Sequence, residues 1–211
     1  EGSAAAVQAA AGAARDAGLQ VAFGGDAADS DPEVGGAGEL IGLGVAGLVL
    51  LITFGSLAAA GLPLLTALIG VVTGLMGITA LTGVVDMDSS VPTVALMLGL
   101  AVGIDYALFI LSRHRAQLHA GLDPEESAAR AVATAGSAVV FAGATVVIAL
   151  ASLAIVGIPF MTAMGLAAAG TVAVAVAVSL TLVPALLGFA GPRLAKGKRL
   201  EGRARPTLGA R

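Results

Sequence analysis

Hydrophobic positions in this chain run together well past the length that a soluble helix or strand uses. No Asp, Glu, Lys or Arg occurs from Leu40 to Val85, a run of 46 residues, or from Ala131 to Pro192, a run of 62. Between them, Ser89 to Ser112 is 24 residues long and carries one charge, Asp105. A bilayer core takes about 20 apolar residues of helix, so each long run must fold into two spans. A signal peptide is too short to account for any of them. Gly61-Leu62-Pro63 reads as the turn dividing the first run, and Gly157-Ile158-Pro159 as the turn dividing the second. The pattern predicts five transmembrane helices, near 40–59, 63–84, 91–112, 137–156 and 160–187.

The polar segments fall outside those spans. Residues 3–17 are rich in alanine and predict a helix, with Gly18 ending it. Leu19–Phe23 reads as a short strand, and residues 24–38 as a polar connection. Residues 1–38 thus read as the α+β end of an outer domain plus a linker, 39–190 as a five-helix transmembrane domain and 191–211 as a basic tail. The chain starts at Glu1 without a methionine, so a fragment of a longer protein is expected. Asp123-Pro124-Glu125-Glu126 predicts a further helix running toward Ala135. Asp123 suits the N-cap, Pro124 the first helical position and Glu126 the capping-box partner. The simplest role of that helix is to lead the chain back into the membrane. The tail from Arg193 anchors the last span at an anionic leaflet or links onward.

Composition supports a membrane protein. Hydrophobic residues make up 57% of the chain and charged residues 12%, where a soluble domain carries about a quarter. Thirty glycines suit helices that pack closely in lipid. There is no cysteine and only two histidines, His114 and His119, which excludes disulfides, thiolate chemistry and Cys- or His-rich metal sites. No metal or other cofactor is therefore expected. The net charge of −3 excludes a strongly basic nucleic-acid binder, and no aromatic residue interleaves the charges of the tail.

The charges are informative once sorted by side. With Arg113, Arg115, Arg130 and the tail on one face, that face holds ten basic residues and four acids, a balance of +6. The other face holds nine acids and Arg15, a balance of −8. The positive-inside rule then places the N-terminal segment outside and the tail in the cytoplasm.

What remains is one charge in the membrane. A carboxylate in a helix core costs about 2.5–3.5 kcal/mol on the insertion scale, and such groups face a bundle interior or a water-filled cavity. Ala101, Val102, Leu108, Phe109 and Ser112 share the Asp105 face, and none can neutralise it. A carboxyl whose charged form is disfavoured in this way can load and release a proton near neutral pH. Tyr106, the single tyrosine, follows directly and can extend a proton wire. The plainer alternative is a structural polar contact between helices. Gly99, Gly103 and Ala107 form a small-residue stripe largely opposite Asp105, which reads as a packing face. Gly165, Ala169, Ala173 and Ala177 form a similar packing stripe on the last span.

The segment Gly99-Leu-Ala-Val-Gly-Ile-Asp-Tyr-Ala-Leu-Phe-Ile-Leu-Ser-Arg-His-Arg115 strongly resembles the fourth transmembrane helix of MMPL-family transporters, of the resistance–nodulation–division (RND) superfamily. Phe54-Gly-Ser-Leu-Ala-Ala-Ala-Gly-Leu-Pro63 resembles the family's junction of helices two and three, and Gly157-Ile-Pro159 and Thr181-Leu-Val-Pro-Ala-Leu-Leu187 resemble the bounds of helix six. The resemblance covers about residues 18–190. It implies an all-α membrane half-domain: helices two to six of the first of two similar halves, preceded by the α+β end of a porter domain. It implies that Asp105 and Tyr106 are a proton relay facing a matching Asp–Tyr pair in the second half. Gly99, Gly103 and Ala107 would then pack the helix around that relay. The implied activity is export of a lipid or other amphiphile across the cytoplasmic membrane, driven by the proton-motive force, and not enzymatic. The partners would be membrane lipids, protons, the substrate and the second half.

Two competing classes stand beside it. Five-helix units of this superfamily also resemble sterol-sensing domains, which bind lipid without pumping and need no titrating aspartate. An intramembrane aspartyl protease needs two membrane aspartates as a dyad, and this sequence offers Asp105 alone, in the order Asp-Tyr.

Overall fold

A computed structural model of the chain describes residues 11–12, 15–16, 18, 20–21, 36–81, 88 and 90–195. From residue 36 onward the described residues form six α-helices in order: α1 Ala37–Phe54, α2 Leu57–Leu81, α3 Ser90–His119, α4 Pro124–Ala131, α5 Ser137–Ala151 and α6 Pro159–Ala195. A π-helical turn, Val132–Gly136, joins α4 to α5, and a 3-10 segment, Ser152–Val156, follows α5. Five stretches are long and apolar enough to cross a membrane: Ala37–Phe54, Leu57–Ala80, Ser90–His119, Pro124–Val156 and Pro159–Phe189. The protein is a multi-pass membrane protein.

The first break lies earlier than the sequence pattern suggests. The chain turns at Gly55-Ser56, not at Gly61-Leu62-Pro63. Gly55 takes a left-handed conformation (φ 62) and its N–H closes on Leu51 O at 2.8 Å, the helix ending that glycine provides best. Pro63 lies inside α2 and is fully buried. Its ring removes the backbone donor that would otherwise serve the Ala59 carbonyl, one turn earlier. Thr66 Oγ1 donates to the Leu62 and Pro63 carbonyls at 3.0 and 3.1 Å in the same turn. The second break falls at Gly157 (φ 74), and α6 begins at Pro159.

The helix predicted from Asp123 starts where expected. Asp123 caps α4, accepting from Glu125 N at 3.3 Å, with Pro124 at the first helical position. The reciprocal half of the capping box is not made: Glu126 instead pairs with Arg130 one turn on, at 2.6 Å. The helix also does not stop near Ala135. It passes through the π turn into α5, so Pro124–Val156 forms one helical path.

The N-terminal expectation needs correcting. Residues 11, 12, 15 and 16 are helical, and Gly18 turns away with φ 78, its N–H on Arg15 O at 2.9 Å. The strand expected over Leu19–Phe23 keeps only Gln20 and Val21 among the described residues, and neither is in a strand. No strand occurs among the described residues at all, so the α+β character of this segment is not supported. A strand needs a partner to satisfy its backbone groups, and the described chain offers none. Residues 24–35 of the expected connection, residues 82–87 and the tail from 196 lie outside the described residues.

α2, α3 and α6 form the centre of the bundle. α1 buries only Leu50 and Phe54, and α5 only Val139 and Gly143. Leu40, Ile41, Leu48 and Ile52 of α1 and Phe141 and Ile148 of α5 stay exposed. An apolar surface of this extent is what a helix offers to lipid rather than to water.

Candidate functional site

α3 has two unlike faces. Gly99, Gly103 and Ala107 are buried on one of them. A Cβ on Gly99 would lie 2.7 Å from Thr171 Cγ2 of α6 and 3.0 Å from Val71 Cγ2 of α2. On Gly103 it would lie 3.1 Å from Ala67 Cβ and 3.2 Å from Ala67 Cα. Gly74 of α2 approaches the same threonine, 2.9 Å from its Cγ2 on the same construction. Thr171 is therefore a wedge between α2 and α3. Its hydroxyl donates to Ala167 O at 3.0 Å, and its methyl group faces Gly99, while Gly74 meets the methyl, the hydroxyl oxygen and the Cα. Glycine is required at these places by the approach of neighbouring helices rather than by backbone conformation.

The opposite face carries Met97, Ala101, Asp105, Phe109 and Ser112, all exposed. Asp105 lies close to the middle of α3, and among the described residues its carboxylate has no hydrogen-bond or ion-pair partner. Ser112 Oγ is occupied by the Phe109 carbonyl at 2.9 Å. Tyr106, one residue on, is turned toward the bundle and half-buried. Its ring carbon Cε2 lies 3.6 Å from where a Cβ of Gly143 would stand, so the tyrosine reaches α5. The relay pair expected from sequence is thus split between surroundings. The carboxylate faces away from the five helices, and the phenol faces into them.

The end of α3 that carries the arginines holds two contacts that sequence reasoning missed. Arg115 donates from Nη1 to the Phe54 carbonyl at 3.1 Å, and its guanidinium lies 5.0 Å from the centroid of the Phe54 ring. This ties α3 to the last turn of α1. His114 and Ser127, both fully buried, join α3 to α4. Ser127 Oγ is 2.8 Å from His114 Nδ1 and 2.9 Å from the His114 carbonyl. A hydroxyl has one proton, so both contacts are hydrogen bonds when Nδ1–H donates to Oγ and the hydroxyl donates to the carbonyl. His114 Nε2 is then left buried without a partner, as is Gln117 Oε1 one turn on. The adjacency of His114 to two arginines was the available sequence signal, but nothing in it named Ser127. Among the described residues, no three of His, Asp and Glu gather closely enough to hold a metal ion.

Residues 1–208 match the sequence model of the MMPL family. The membrane protein YdfJ of Bacillus subtilis is 51% identical over 196 residues, covering 92% of this chain and 27% of that protein. The mycolic acid-containing lipids exporter MmpL11 of Mycolicibacterium smegmatis is 38% identical over 149 residues, covering 71% of this chain and 16% of its own length. The trehalose monomycolate exporter MmpL3 of Mycobacterium tuberculosis is 34% identical over 155 residues, covering 72% of this chain and 16% of its own length. The chain thus spans about a quarter or less of the relatives it matches.

Proposed function

The chain belongs to the MMPL family, and from that membership we propose that it is the transmembrane part of one half of a proton-driven exporter of a lipid or similar amphiphile. Asp105 and Tyr106 are its intramembrane proton relay. The observation that carries this reading is the placement of Asp105. A carboxylate stands in the middle of an apolar helix, on a face that none of the other described helices covers, while the opposite face is fixed by glycine contacts. Such a group is stable in a bilayer only against a polar partner or water. On this reading a second half of the transporter supplies it, with an equivalent Asp–Tyr pair.

The protonation cycle follows from charge. Neutralising Asp105 removes the cost of holding a charge in the membrane and changes which packing of the two halves is preferred. α2, α3 and α6 are locked together at Gly74, Gly99, Gly103 and Thr171, so the change moves them as a unit. Two relatives carry lipid export in their names, which supports a lipid or amphiphile as the substrate class here. The charge pattern supports an N-terminal segment outside and a cytoplasmic tail, in the cytoplasmic membrane.

The test is made in the full-length transporter. Asp105→Asn should abolish proton-dependent export while protein abundance in the membrane is unchanged, and Tyr106→Phe should lower it less. Retained proton-dependent export in Asp105→Asn would refute the relay. Lipid binding that survives the substitution, in a wild-type protein without proton flux, would instead favour a sensing domain.

A further inference from the structure

α5 buries few of its own residues in the bundle. Its two buried residues, Val139 and Gly143, lie one turn apart on the same face. At Gly143 three helices converge. A Cβ there would stand 2.5 Å from Val176 Cγ2 and 3.5 Å from Val176 Cγ1 of α6, and 3.6 Å from Tyr106 Cε2 of α3. Real side chains do not approach a Cβ at 2.5 Å, so α5 and α6 meet here only because residue 143 has no side chain. Val176 is β-branched, and its χ1 has little freedom to swing the methyl aside.

The atom that Tyr106 presents to this notch matters. Cε2 is bonded to Cζ, the carbon that carries the hydroxyl. The contact is therefore at the reactive end of the ring rather than at its root. The root is fixed separately, because Gly103 and Ala107 on the same helix are held against α2 and α6. With the backbone held there and the ring tip held at the notch, the position of the hydroxyl is determined from both ends.

We propose that Gly143 is a positioning residue for the relay: its missing side chain forms, with Val176, the seat that fixes the hydroxyl end of Tyr106. The inference rests on the reading of Asp105 and Tyr106 as a proton relay and adds α5 to it. It also gives α5 a part in coupling. A shift of α5 against α6 reaches the relay at Gly143, where α5 meets both Val176 and the ring of Tyr106.

The experiment is a double-mutant cycle in the full-length transporter, measuring initial rates of proton-coupled export at equal membrane abundance. Gly143→Ala should lower the rate about tenfold or more. Adding Val176→Ala, which removes the methyl groups that the new Cβ would strike, should restore it to within about threefold of wild type. In a Tyr106→Phe background, which has no hydroxyl left to position, Gly143→Ala should cause less than about a twofold further loss. Losses that multiply in that background would overturn the proposal, as would full activity of Gly143→Ala alone. Should Gly143→Ala fail to reach the membrane, Val176→Ala alone loosens the same seat, and its loss must likewise vanish in the Tyr106→Phe background. Asp105→Asn, run in parallel, separates the two claims. If it retains proton-coupled export, the relay reading has failed; if it abolishes export and the cycle still multiplies, only the role of Gly143 has failed.

Discussion

Thr171 of α6 sits so close to Gly99 of α3 that a Cβ on the glycine would stand 2.7 Å from the threonine methyl carbon. Overpacking of this kind costs about 1–3 kcal/mol. Gly99→Ala should lower the thermal unfolding midpoint of the detergent-solubilised protein, and Thr171→Ser, which removes Cγ2, should recover most of the loss. Gly103→Ala should have no comparable rescue, because its new Cβ meets the Ala67 backbone at 3.2 Å as well as a side chain. Equal recovery of both variants by side-chain trimming would contradict this packing.

Arg115 holds the last turn of α1 by a hydrogen bond to the Phe54 carbonyl and by the stacking of its guanidinium on the Phe54 ring. A partly desolvated cation–π contact is worth about 0.5–2 kcal/mol. Arg115→Ala should destabilise the protein by about that amount. Arg115→Lys should recover only part, since an ammonium lacks the planar fork that bonds and stacks together. Full recovery by lysine in a thermal unfolding assay would show that charge alone matters.

Ser127→Ala should be costly although it removes only one oxygen atom. It leaves His114 Nδ1 without its partner inside a sealed contact where Nε2 already has none. A buried polar group left unsatisfied costs about 1–3 kcal/mol. His114→Met combined with Ser127→Ala removes both sides of the contact and should be closer to wild type than Ser127→Ala alone. Additive losses in the double variant, read by the same unfolding assay, would argue against a paired contact.

Asp88 starts α3 by accepting from Ser90 N at 2.8 Å, and these hydrogen bonds hold its carboxyl below the ordinary range. A lowered folded-state pKa means the contribution is fully present above the unfolded value, about 3.9 for aspartate. It is lost as pH falls through the lowered value. Hydrogen exchange in the first turn of α3 should therefore rise as pH drops below about 4, after correction for intrinsic rates. Asp88→Asn, which caps as well without titrating, should flatten the profile. An unchanged profile in that variant would assign the effect to another group.

The long uncharged runs announced five spans because a bilayer penalises charge over a fixed length, and the two faces of α3 followed from the spacing of Gly99, Gly103, Ala107 and Asp105. The turn at Gly61-Leu62-Pro63 was misplaced because proline is a weaker stop signal in a membrane helix than in water, where Gly55 now ends α1. The strand at Leu19–Phe23 was read from propensity, which says nothing of whether a partner strand is present. Tyr106 on Gly143 and Ser127 on His114 were invisible for a different reason. Each depends on where separate helices meet, and no periodicity along one helix records what another brings to it.

The relay is tested most directly by following proton uptake and substrate movement together in proteoliposomes of the full-length transporter under an imposed pH gradient. Wild-type protein should acidify the compartment that receives protons in step with substrate export, and Asp105→Asn should abolish both, lowering each by about a hundredfold, as expected when the group that carries the proton is removed. Substrate-coupled proton flux that persists in Asp105→Asn would contradict the account.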